Sequence, residues 1–172
     1  ETVYVHLSRA LKELEAALKR FPKNPALILQ RSIWQWADGE EQQAIAGCNA
    51  IDEKINDSPM LLIARAQLLQ RLNKLPEALA DCERAASLTS KNPAVLMVRA
   101  EILQSLGRHK EAVADWKEVD RVSQMRGWPP RSTALNGLAY ARALGQMELD
   151  EGLENVNHAL DPAPGIPDIR DT

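Results

Sequence analysis

Apolar residues recur in three- and four-residue steps along much of the chain, most clearly in the run that ends at Gly107. Residues spaced three and four apart lie on one face of an α-helix, and this spacing joins Leu96, Arg99, Ala100, Leu103 and Leu106. Asn92 precedes Pro93, which is the typical order of an N-cap and a first helical residue. Gly107 supplies the left-handed residue at which such a helix ends. The pattern therefore predicts an amphipathic helix with defined ends.

A second amphipathic segment follows, with Ala112, Val113, Trp116 and Val119 on one face. Ala112 and Ala100 are small where two antiparallel helices should approach most closely, and larger side chains there would force the helices apart. The two segments together predict a helix-turn-helix hairpin. Few stretches show the period-two alternation of β-branched residues that indicates strands, so we predict an all-α fold.

The hairpin pattern repeats every 34 residues, in several independent columns. Each unit has a polar residue before proline, an arginine followed by a small residue, and an alanine on the second helix. These columns are Asn24, Ser58 and Asn92; Arg31, Arg65 and Arg99; Ser32, Ala66 and Ala100; and Ala44, Ala78 and Ala112.

The repeat resembles the tetratricopeptide repeat (TPR) family, whose unit is a helix-turn-helix of about 34 residues. The small-residue positions of that family match well here, as at Ala100 and Ala112. Its aromatic positions mostly hold aliphatic side chains in this chain, and its leucine position holds arginine. The resemblance implies a right-handed α-solenoid of antiparallel helical hairpins, a TPR-like superhelix.

We predict a single array with an inter-repeat loop before its fourth repeat. Incomplete units at both ends indicate a piece of a longer array, and the apolar faces of end repeats favour weak self-association. The predicted segments are 1–23, the second half of a preceding repeat; repeats at 24–57, 58–91 and 92–125; an inter-repeat loop at 126–131; a fourth repeat at 132–164; and the start of a further repeat at 165–172.

Composition and motifs narrow the classes of function. The net charge of -3 argues against nonspecific nucleic-acid binding, which needs many lysines and arginines to neutralise phosphates. No apolar run approaches the roughly 18 residues of a membrane span. No nucleophile–base pair, metal-ligand spacing or nucleotide-binding motif is present. We therefore predict a protein that is not an enzyme and needs no cofactor or metal.

In the TPR family the first helices of the repeats line a concave groove. By register, the resemblance implies a groove of aliphatic, amide and aromatic side chains that suits an extended peptide or a partner helix. The groove residues implied are Leu29, Ile33, Trp36, Ile63, Gln67, Gln70, Met97, Glu101, Gln104, Asn136 and Tyr140.

Two alternatives bear on this groove. Leu29, Ile33 and Ile63 also suit packing between adjacent repeats. Some TPR domains capture chaperone C-termini through basic residues at set groove positions, but the corresponding positions here hold no basic residue. We therefore do not expect carboxylate capture of that kind.

The arginine column allows two interpretations: a ladder that binds acidic partners, or ion pairs with the second helices. Asp81 and Asp115 recur at the same period and favour ion pairs in the second and third repeats, since arginines are seldom buried unpaired. Gly47 replaces the aspartate in the first repeat, so Arg31 would need another partner.

Cys48 and Cys82 occupy equivalent positions on successive second helices. Such positions in stacked repeats lie too far apart for a disulfide, and no further Cys or His stands at metal spacing. We therefore predict that both cysteines pack in the core.

The sequence predicts a non-catalytic interaction module, or scaffold, that binds a peptide or partner protein in its concave groove. The alternative is a structural spacer or assembly arm within a larger multidomain protein.

Overall fold

The structure is a computed structural model that describes residues 2–51, 58–126 and 131–146. All regular elements in these ranges are α-helices, which confirms the all-α prediction. None of these helices has an apolar stretch of the length that a membrane span requires. The helices are α1 (Thr2–Arg20), α2 (Pro25–Ala37), α3 (Glu41–Ala50), α4 (Pro59–Arg71), α5 (Leu75–Leu88), α6 (Pro93–Ser105), α7 (His109–Arg126) and α8 (Arg131–Leu144).

The helices α2, α4 and α6 each begin at the proline of the repeated Asn-Pro or Ser-Pro pair. The Asn24 side chain accepts hydrogen bonds from the backbone N–H groups of Ala26, at 3.0 Å, and Leu27, at 3.2 Å. The Asn92 side chain accepts the equivalent bond at the start of α6 from the backbone N–H of Ala94, at 3.0 Å. Ser58 takes the N-cap position of α4, but its side chain makes no capping bond, so the predicted role of Ser58 is only partly realised.

The first helix of each hairpin ends in a left-handed residue, as the sequence predicts for Gly107, whose φ is +73°. The backbone N–H of Arg108 bonds the Leu103 carbonyl, and that of Gly107 bonds the Gln104 carbonyl, which together form a Schellman motif. Asn73, with φ of 56°, makes the equivalent turn in the second repeat, since asparagine tolerates this region. The turn sends the chain back into the second helix.

The described chain divides into two compact units, residues 1–98 and residues 99–172, with the border inside α6. In the first unit α2 packs on α3 and α4 packs on α5. Ala66 and Ala78 are fully buried, which fits the prediction that small residues stand at the closest approach of paired helices. In the second unit α7 packs on α8, and a Cβ added to Gly137 would overlap the indole of Trp116.

Both cysteines are buried and neither forms a disulfide, as the core-packing prediction expects. Burial raises the pKa of the Cys48 thiol to about 11, which outweighs the opposing effect of the Arg65 charge. A buried thiol with a raised pKa is a poor nucleophile, because the thiolate is the reactive form. Cys48 therefore has a packing role.

The second part of the predicted fourth repeat, 147–164, and the predicted start of a further repeat, 165–172, lie outside the described residues. The same is true of 127–130 in the predicted inter-repeat loop. Residues 1–23 hold the single helix α1 and a short turn.

Candidate binding surface on the first helices

In the first unit, the predicted groove residues differ in how far solvent reaches them. Leu29 and Ile63 are only 3% and 7% exposed, so they belong to the core and offer little surface to a ligand. The packing alternative describes these two residues better than the groove prediction does. The accessible members are Gln67, which is exposed, and Ile33, Trp36, Gln70 and Met97, which are half-buried.

Trp36 on α2 lies beneath Arg71, the last residue of α4, with the guanidinium carbon 5.0 Å from the ring centroid. This cation–π contact joins two adjacent repeats on the predicted binding side. Sequence reasoning missed Arg71, although it directly follows Gln70, the residue one repeat after Trp36. The contact holds an aromatic ring and a positive charge together beside the amides of α4.

In the second unit, Gln104 was predicted to line the groove, but it is only 8% exposed. Its Oε1 atom accepts a hydrogen bond of 3.3 Å from the indole N–H of the buried Trp116. An indole nitrogen can only donate, so this bond fixes the orientation of the amide. Gln104 therefore positions Trp116 inside the unit, and the groove prediction for it needs correction.

The exposed members in the second unit are Glu101, Asn136 and Tyr140. Asn136 and Tyr140 are four residues apart on α8 and so share a face, and the Tyr140 side chain is 61% exposed. An exposed tyrosine offers both an apolar ring and a hydroxyl to a partner.

Glu101, on α6, is the acidic group among the accessible positions. Neighbouring protein atoms displace part of its water, and this desolvation raises the pKa of its carboxyl above the ordinary value. Within the described ranges, no group of three or more His, Cys, Asp or Glu side chains could hold a metal ion.

Solved structures resemble this arrangement closely. The crystal structure of MamA superposes with a TM-score of 0.69 at 16% identity, over 88% of this chain and 85% of that one. A tetratricopeptide repeat protein from Parabacteroides merdae gives 0.67 at 18% identity, over 94% and 62%. YrrB, described as a TPR protein with an unusual peptide-binding site, gives 0.69 at 17% identity, over 95% and 81%.

The chain has the tetratricopeptide-repeat fold. The resemblance inferred from the sequence is thereby confirmed at the level of the fold, and the molecule is an α-solenoid of helical hairpins. No protein-family model matches the sequence, and no curated protein matches it either.

Within this TPR fold, the second and third members of the arginine column form the predicted ion pairs. Arg65 meets Asp81 with Nε–Oδ2 and Nη2–Oδ1 distances of 2.6 and 2.5 Å. Arg99 meets Asp115 with the same geometry, at 2.7 and 2.5 Å. The hydrogen bond to Asp81 raises the pKa of the Arg65 guanidinium. These two arginines therefore have a structural role inside the hairpins.

Arg65 also joins its hairpin to the preceding one. Its Nη1 atom donates to the carbonyl oxygen of Ile51 at 3.3 Å, beyond the end of α3. Arg31 behaves differently: it is exposed, and its side chain makes no hydrogen bond or ion pair with the residues that the structure describes. The described residues therefore contain no partner that replaces the missing aspartate for Arg31.

Proposed function

We propose that this protein is a non-catalytic interaction module that binds a peptide or a partner protein along the first helices of its repeats. The observation that carries the proposal is the accessible set of amide and aromatic side chains on α2, α4 and α8. These side chains stand on helices whose other faces are buried in the repeats. One structural neighbour, YrrB, is described as having a peptide-binding site, which supports the same class of function here.

The first unit offers groups that suit an extended peptide. The side-chain amides of Gln67 and Gln70 each carry donors and an acceptor, so they can bond both backbone groups of such a peptide. Trp36 beneath Arg71 adds apolar surface beside a positive charge. A ligand that combines an apolar side chain with free backbone groups would match this surface.

The second unit offers a smaller surface of the same kind. Tyr140 is the exposed aromatic group, and Asn136 stands one turn before it on α8. Rigid aromatic side chains of this type commonly supply much of the energy of an interface. Glu101 adds a negative charge, which favours a ligand with a nearby basic residue.

Selection of peptides from a random phage-displayed library tests the proposal directly. The test variant combines Trp36→Ala, Gln70→Ala and Tyr140→Ala. The matched control combines Gln42→Ala, Glu83→Ala and Gln124→Ala, three exposed positions on the second helices α3, α5 and α7. Both variants should retain the far-ultraviolet circular dichroism of the native chain.

We expect the native chain and the control to enrich the same peptides, and the test variant to lose at least about tenfold in affinity for them. Equal binding by the test variant would place the site elsewhere. If no peptide is enriched by the native chain, the spacer alternative would describe the protein better.

A further inference from the structure

The first repeat differs from the second at two coupled positions. Ala66 in the second repeat is fully buried, and Asp81 on α5 pairs with Arg65, the residue before it. In the first repeat, Ser32 takes the place of the alanine, and its hydroxyl donates a 3.0 Å hydrogen bond to the Ile28 carbonyl. A Cβ at Gly47 would overlap that hydroxyl oxygen, so an aspartate cannot stand there beside Ser32 without a shift.

With Ser32 and Gly47 in these places, the first repeat has no carboxylate at the position where the second repeat has the partner of its arginine. Arg31 therefore lacks an internal carboxylate to pair with. Arg31 instead lines an open pocket of about 420 Å³ between the α1–α2 turn and the end of α3. Lys23 contributes a second positive charge, and Asn49 contributes an amide. Pro25, Ile28 and Ile51 supply apolar lining. Within the described ranges, the side chains of Lys23 and Arg31 make no hydrogen bond or ion pair.

We propose that this pocket binds the carboxylate of an acidic residue from a partner protein. Arg65 and Arg99 occupy the same position of the repeat as Arg31, and each binds a carboxylate through a pair of parallel hydrogen bonds. A guanidinium fork matches a carboxylate in this way more closely than an ammonium does. The partner's carboxylate would take the role that Asp81 has in the second repeat, and Lys23 would add a second attraction.

The other groups at the pocket favour a side-chain carboxylate over a phosphate. Phosphate sites commonly use several free backbone N–H groups at a helix N-terminus. At the start of α2, the N–H groups of Ala26 and Leu27 already donate to Asn24, and Pro25 has no N–H. The apolar lining suits the methylene groups of a glutamate and its neighbours in a peptide.

This site uses none of the residues that carry the proposed function. If the side chains of Trp36 and Tyr140 proved not to bind a peptide, the proposal for the Arg31 pocket would still stand. The reverse also holds. The two proposals can therefore be tested in the same protein with separate variants.

Nuclear magnetic resonance of the arginine side chains provides the test, with the arginines of the other repeats as internal controls. The probes are a capped decapeptide of alternating alanine and glutamate, its glutamine counterpart, and inorganic phosphate. We expect the Nε–Hε signal of Arg31 to shift saturably with the glutamate peptide, while the signals of Arg65 and Arg99 stay in place. Arg31→Gln and Lys23→Gln should each weaken binding of this peptide, the first by about tenfold.

The most specific variant gives the first repeat the residue types that the second repeat has at the two equivalent positions. Ser32→Ala combined with Gly47→Asp makes room for a carboxylate in the register of Arg31, so it should abolish binding of the glutamate peptide. Ser32→Ala alone is the matched control and should bind as the native chain does. Circular dichroism and thermal unfolding establish that both variants are folded.

Three results would overturn the proposal. The glutamine peptide could bind as well as the glutamate peptide, which would exclude charge recognition. Phosphate could bind as tightly as the glutamate peptide, which would indicate a general small-anion site. The Arg31 signal of the native chain could stay unshifted at all concentrations of the glutamate peptide. In that case Lys23→Gln, at an exposed turn position, would not change the binding of the peptide either.

Discussion

Arg65 and Asp81 face each other across one hairpin, with two parallel hydrogen bonds of 2.6 and 2.5 Å between the guanidinium and the carboxylate. The Arg65 side chain is 17% exposed and that of Asp81 is 8% exposed. Such a pair is largely withdrawn from water, so each charge depends on the other for solvation. The same arginine also reaches the Ile51 carbonyl, which makes it a link between the first two repeats.

Breaking this pair should destabilise the fold strongly. Asp81→Asn removes the countercharge and leaves the guanidinium buried, for which we expect a loss of about 2–4 kcal/mol in the free energy of unfolding. Urea denaturation followed by circular dichroism measures the loss. Glu111→Gln, which breaks the exposed pair with Arg108, is the control and should leave the midpoint unchanged. Equal effects of the two substitutions would contradict the structural role assigned to Arg65.

The contact between Trp36 and Arg71 should appear as a pairwise coupling. A double-mutant cycle with Trp36→Leu and Arg71→Gln isolates the cation–π contribution, for which we expect about 0.5–1 kcal/mol. The free energies of unfolding of the four proteins give this value. A coupling energy of zero would mean that the guanidinium does not rest on the ring in solution. The cycle of Trp36→Leu with Lys74→Gln is the control, and it should show no coupling.

The packing of α8 against α7 should not tolerate even one added carbon at Gly137. A Cβ there would overlap the Trp116 ring, so Gly137→Ala should destabilise the chain by about 1–3 kcal/mol despite the better helix propensity of alanine. Ala143→Ser, on the same helix at an exposed position, should cost much less. Thermal unfolding compares the two, and a Gly137→Ala variant more stable than the native chain would contradict the close contact.

Stability should fall at alkaline pH because of Cys48. The folded state raises the pKa of this thiol from its ordinary value of 9.0 to about 11, so it holds the proton more tightly than the unfolded chain does. As the pH rises above about 9, the unfolded state loses its proton first, and unfolding becomes more favourable. Below that pH the thiol is protonated in both states and has no such effect.

Cys48→Ala should therefore flatten the decline of stability between pH 9 and pH 11. Urea denaturation at several pH values measures the slopes for the variant and the native chain. Other groups titrate in the same range in both proteins, so only the difference between the slopes is attributed to Cys48. Parallel slopes would show that the thiol titrates alike in the folded and unfolded states.

The sequence by itself determined the hairpins, their period and the partners of two arginines. A 34-residue period places Arg65 and Asp81 at the same relative positions as Arg99 and Asp115, so one pairing implied the other. Helix ends were equally predictable, because capping and left-handed residues act through local backbone geometry. These features depend on residues close in sequence or on strict repetition.

Only the tertiary structure decided which residues of the first helices reach solvent. Register places Leu29, Ile63 and Gln104 on the same side as Gln67, but their burial depends on how closely neighbouring helices approach, which periodicity does not specify. The overlap between Gly47 and Ser32 likewise needs coordinates, because it arises from two helices in contact. The sequence alone showed that Arg31 lacks the aspartate of its two counterparts, because Gly47 stands at that position, and only the structure showed that Arg31 is exposed and lines a pocket.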